Sequence, residues 1–106
     1  ELNCAAADGT SPVWIAAERG HAEVIMALGI AGADLDLPNK KGDTPAWIAA
    51  NRGHTRALMM LAANGADMGK SNREGTPPIW TAVACGHIPC VQLLLACGVD
   101  PNCKDG

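Results

Sequence analysis

The side chains of this 106-residue sequence best suited to chemistry are three histidines, His21, His54 and His87, and five cysteines, Cys4, Cys85, Cys90, Cys97 and Cys103. A histidine can act as a general base or a metal ligand, but either role needs partner groups gathered within reach. Here each histidine follows a glycine, Gly20, Gly53 or Gly86, in the same local context. The three therefore read as one structural position used three times, not as a converging site. The cysteines are odd in number and include no C-x-x-C pair, which argues against a disulfide framework and against a zinc site. No catalytic residue, metal or cofactor is expected. Reduced thiols point to an intracellular setting, the cytoplasm being the expected one.

Trp14, Trp47 and Trp80 are the only aromatic residues. A ladder of aromatic rings can hold single-stranded nucleic acid, at about 1–3 kcal/mol per stacked base. Phosphates must also be held, and the net charge of −3 with no basic run longer than Lys40-Lys41 offers no stripe to do so. Nucleic acid is not an expected partner. No apolar run approaches the roughly 20 residues that span a bilayer, and the first residues lack the pattern of a signal peptide, so membrane insertion is not expected.

The elements that must position these side chains follow from their spacing. Trp14, Trp47 and Trp80 are 33 residues apart, and the same step links Gly9, Gly42 and Gly75, then Pro12, Pro45 and Pro78, then the three histidines. A fixed period of this size marks a stacked array, in which each unit completes its neighbour's core. In the second unit, Asn39-Lys40-Lys41-Gly42-Asp43 is a turn-forming run. Thr44 can cap a helix with its hydroxyl, and Pro45 suits the first helical position, where its missing N–H costs nothing. Gly53 stops that helix, with Arg52 complementing its negative end. His54 opens a second helix to about Ala63, with Leu58 and Leu61 on one face, and Gly65 closes it.

The segments GTSPVWIAAERGH (Gly9 to His21), GDTPAWIAANRGH (Gly42 to His54) and GTPPIWTAVACGH (Gly75 to His87), closed by AGAD, NGAD and CGVD, resemble ankyrin repeats. The resemblance implies an all-α repeat solenoid, with helix-turn-helix units joined by β-hairpin-like turns. The expected division is one domain, 1–106, with a preceding repeat's tail at 1–7 and repeats at 8–40, 41–73 and 74–106. Both ends then fall inside units, as in a fragment of a longer array. Tryptophan stands where the family pattern T-P-L-H has histidine. The three indoles are therefore expected to be structural pegs, partly buried between successive turns, each N–H directed at a turn carbonyl.

Two departures from the pattern stand out. Gly29 lies inside the first unit's second helix, where glycine costs about 1 kcal/mol relative to alanine, and Met26 and Ile30 occupy its usually polar face. Pro77 replaces the capping hydroxyl supplied by Ser11 and Thr44, so the third unit's first helix is expected to start without a side-chain cap.

The resemblance further implies a protein-protein interaction scaffold that binds a partner protein or peptide on a concave face of turn tips and first helices. By position, these residues are Asp8, Thr10, Glu18 and Arg19 in the first unit; Lys40, Lys41, Asp43, Asn51 and Arg52 in the second; and Arg73, Glu74, Thr76 and Cys85 in the third. Arg19, Lys40, Lys41, Arg52 and Arg73 would form a mildly basic centre flanked by acidic residues, suited to an acidic or mixed-charge peptide. An alternative is a regulatory or targeting module of a larger protein whose catalytic part lies elsewhere. In some family members an asparagine of the turn is hydroxylated, and Asn102 and Asn3 hold that position here.

Overall fold

The computed structural model describes residues 10–100. These form six helices: α1 (Pro12–Arg19), α2 (Ala22–Ile30), α3 (Pro45–Arg52), α4 (Thr55–Ala63), α5 (Pro78–Ala84) and α6 (Ile88–Ala96). No strand is present among the described residues. The first helices α1, α3 and α5 pack in one row, α2, α4 and α6 in a second, and each helix also packs on its hairpin partner. This is the two-layer helical stack that the 33-residue period requires.

Local sequence fixes each helix end. Ser11 Oγ and Thr44 Oγ1 accept hydrogen bonds from the Trp14 and Trp47 amides at 3.3 and 3.1 Å, while Pro77 at the third start makes no side-chain cap bond. The helices stop at glycines with positive φ, such as Gly53 at 77°, a conformation that a Cβ disfavours. There the Gly53 amide reaches back to the Ala50 carbonyl and the His54 amide to the Ala49 carbonyl at 2.9 Å, satisfying carbonyls that the helix end leaves open. The Gly-His pair therefore ends one helix and aims the next.

Small and large residues share the core. Ala16, Ala17, Ala49, Ala50 and Ala82 let the first helices approach closely, and Ile25, Leu58, Leu61 and Leu94 fill the space between the rows. Each such leucine or isoleucine contributes about 1.5–3 kcal/mol on burial. Gly29 has a packing role: a Cβ there would lie 2.8 Å from Asn64 Cγ, so its absence admits the Asn64 side chain from the next unit. Met26 and Ile30 are exposed, as are the equivalent Met59, Ala63, Gln92 and Ala96. They lie on the outer surface of the α2 row and do not form an inter-unit face.

Candidate protein-binding face

The turn tips are built around two asparagines. Asn39 Oδ1 accepts the Lys41 and Asp43 amides, both at 3.0 Å, and Asn72 Oδ1 accepts the Glu74 and Thr76 amides, again both at 3.0 Å. Neighbouring tips are then tied together: the Arg73 amide donates to the Lys41 carbonyl at 3.0 Å, and Asn72 Nδ2 donates to Asp43 Oδ1 at 2.9 Å. With the loop backbone held this way, Lys40, Lys41, Arg73 and Glu74 stand exposed at the rim. Asn39 was legible only as part of a turn-forming run and Asn72 was not singled out; their 33-residue recurrence is the signal that marks them as the residues shaping the tip.

Thr10, Asp43 and Thr76, expected at the partner-binding tips, are buried, with exposures of 8%, 6% and 7%. Asp43 in particular is turned inward to receive Asn72, so these three support the tips and do not present a contact surface. Asn51 is half-buried, its Nδ2 donating to Thr81 Oγ1 at 2.8 Å and lying 3.7 Å from Cys85 Sγ, which links the second and third units. Arg52 reaches back to Glu18 at 3.5 Å, and Arg19 is exposed beside it in sequence register. Half of the expected arginine pair is thus engaged by a carboxylate. Asp8, Asn3, Asn102, Cys4 and Cys103 lie outside the described residues.

Two open clefts flank Lys41. One, of about 370 Å³, is bordered by Glu18, Arg19, Lys40 and Lys41, with Trp14 and Ile15 at its base. The other, of about 400 Å³, is bordered by Lys41, Trp47, Asn72, Arg73 and Glu74. Cationic side chains above an apolar floor can accept a carboxylate-bearing chain with some hydrophobic character.

The tryptophans hold one structural position in three environments. Trp14 is buried and its Nε1 donates to the Asp43 carbonyl of the next turn at 2.9 Å, the arrangement expected for a peg. Trp47 is half-buried, and its Nε1 is enclosed without a hydrogen-bond partner. Trp80 is exposed. The expectation of a carbonyl-bonded peg is therefore corrected at Trp47, and that of a partly buried ring between turns at Trp80, which is 47% exposed. With Trp14 buried against a turn, the three do not form a ladder open to stacked bases.

The histidines also hold one position. His54 and His87 pack over Gly20 and Gly53 of the preceding unit, where a Cβ would meet either ring at 2.7 Å, and His87 Nε2 lies 3.0 Å from the Asn51 carbonyl. None of the three makes a side-chain cap bond to its own helix. Cys90 is buried with its Sγ 3.5 Å from Thr55 Oγ1, whereas Cys85 and Cys97 are exposed free thiols. Among the described residues no cluster of histidine, cysteine, aspartate and glutamate could hold a metal, and no helix is long and apolar enough to cross a membrane.

A search of curated proteins finds no match to the chain. The family model of ankyrin repeats, in three copies, matches residues 13–105. Repeats of this family generally mediate protein-protein interaction and are typically non-catalytic. The proline-started first helices, the Gly-His seats, the paired helix rows and this match together place the chain in the ankyrin repeat family.

Proposed function

We propose that the chain is a protein-binding scaffold whose contact surface is the row of turn tips, and that it takes an acidic or mixed-charge peptide segment of a partner protein. The observation that carries this reading is the convergence of Arg19, Lys40, Lys41 and Arg73 around two adjacent clefts floored by Trp14, Ile15 and Trp47. The tips beneath them are pre-organised by Asn39 and Asn72, so little ordering entropy is spent on binding. Side chains projecting from a fixed loop on a rigid helical stack are well suited to recognition. The proposed setting is the reducing interior of a cell, the cytoplasm, in keeping with the free thiols of Cys85, Cys90 and Cys97.

The test is selection of a displayed random-peptide library on the chain, followed by binding of the selected peptides to the double variant Lys41→Glu with Arg73→Glu. Both side chains are exposed, so the fold, checked by circular dichroism, should be retained. Acidic peptides that lose at least about tenfold in affinity for the variant, or about 1.4 kcal/mol, support the reading. Selected peptides that bind both proteins equally remove the basic clefts from it.

A further inference from the structure

The two clefts that flank Lys41 lie at the junctions between neighbouring units, and their charges differ. The second unit's turn brings Lys40 and Lys41 to the first cleft, whereas the same repeat positions in the third unit bring Arg73 and Glu74 to the second. A cation at one cleft is thus replaced by a carboxylate at the other. Among the described residues, Arg19, Lys40 and Lys41 stand with a single acid at the first cleft, Glu18, which Arg52 already engages at 3.5 Å. At the second, Lys41 and Arg73 are matched by Glu74 and by Asp43, whose carboxylate accepts from Asn72. The first cleft therefore carries excess positive charge, and the second is close to balanced.

The tryptophans at the two clefts differ in the opposite sense. Trp14 is 7% exposed and its Nε1 donates to the Asp43 carbonyl at 2.9 Å, so its ring is held in the packing. Trp47 is half-buried and its Nε1 has no partner, which leaves more of a less tightly held ring to the second cleft. Aromatic rings in partly enclosed pockets are where binding energy tends to concentrate.

We infer that the two clefts divide one peptide between them: the first takes an acidic side chain, and the second takes a large apolar one about three positions away in the same extended segment. The inference rests on the proposed peptide site and specifies its occupant. The spacing comes from the stack. Because α1, α3 and α5 pack in one row, equivalent points on neighbouring units stand about 8–10 Å apart, the separation of packed helices. A polyproline-like segment rises about 3.1 Å per residue with about three residues per turn, so side chains three positions apart lie on one side at about 9 Å. Charge sets which cleft takes which, since an acidic side chain at the second would meet Glu74 and Asp43.

Sequencing the acidic peptides selected on the chain tests the spacing: acidic and large apolar residues should recur together about three positions apart. A double-mutant cycle on one such peptide then tests the placement. Changing its acidic residue to the amide should cost at least about fivefold in affinity for the wild-type chain, and much less for Arg19→Gln with Lys40→Gln, which alters exposed residues of the first cleft alone. Changing its apolar residue to alanine should cost at least about tenfold on the wild type and less on Trp47→Phe, once circular dichroism shows that this variant is folded. The Trp47 indole signal in NMR gives the same reading without a substitution: the parent peptide should shift it and the alanine peptide should not. Acidic peptides with no recurring apolar partner, equal losses on wild type and variants, or an indole signal indifferent to the apolar residue would overturn the division while leaving the peptide site standing. Selected peptides without acidic residues would remove both.

Discussion

Substituting alanine for Gly53 and, separately, for Gly86 measures what the Gly-His seat contributes to the stack. Both glycines have nearly the same backbone, with φ of 77° and 76°, so each substitution carries the same penalty for a Cβ in the left-handed region, about 1–2 kcal/mol. Only at Gly53 does the new Cβ meet a side chain, lying 2.7 Å from His87 Nδ1; at Gly86 nothing lies within 4 Å. His87 must then shift off its seat and give up the 3.0 Å contact between Nε2 and the Asn51 carbonyl, worth about 0.5–1.5 kcal/mol. The expected loss is therefore about 1–2 kcal/mol for Gly86→Ala and about 1.5–3.5 kcal/mol for Gly53→Ala, larger than the Gly86 loss by about 0.5–1.5 kcal/mol. Urea unfolding followed by far-UV circular dichroism reads both, with the slope of the transition checked for constancy. In a His87→Ala background, Gly53→Ala should cost no more than Gly86→Ala, which isolates the coupling. Equal losses for the two glycines in the wild-type background would refute the reasoning.

Three further substitutions probe the same construction. Thr44→Ala removes the hydroxyl that accepts the Trp47 amide and should cost about 1–2 kcal/mol by urea unfolding. Ser71→Ala deletes a buried hydroxyl that has no partner, so stability should be unchanged or raised by up to about 1 kcal/mol. Arg52→Ala breaks the 3.5 Å pair with Glu18, but with the two side chains 54% and 30% exposed its thermal unfolding should move by no more than about 0.5 kcal/mol.

The repeat, the two helices of each unit and their capping were legible in the sequence because each rests on local chemistry that recurs at a fixed step: hydroxyl, proline, glycine, histidine. The missing cap at Pro77 was legible for the same reason. Less was readable where the outcome depends on a neighbouring unit. Asp43 and Thr76 look like polar tip residues, yet both are buried, Asp43 with its carboxylate accepting from Asn72 of the adjoining turn and Thr76 with its amide bonded to Asn72 within its own turn. Gly29 reads as a weakness in a helix until Asn64 of the next unit is seen in the space it leaves. The three tryptophans share one sequence context but differ in burial, because Trp14 and Trp47 have a following unit packed on them and Trp80 stands at the end of the described stack. Periodicity specifies equivalent positions; position within the stack decides what each one touches.

The binding reading is tested most directly by mapping where a partner sits. Titrating the tightest-binding acidic peptide from the library into isotopically labelled protein and following amide and indole shifts by NMR would do so. The account predicts perturbations at Lys40, Lys41, Arg73, Glu74 and the Trp47 indole, with the outward face of α2 and α4, including Met26 and Met59, unmoved. Shifts confined to that outward face, with the turn tips unchanged, would contradict it.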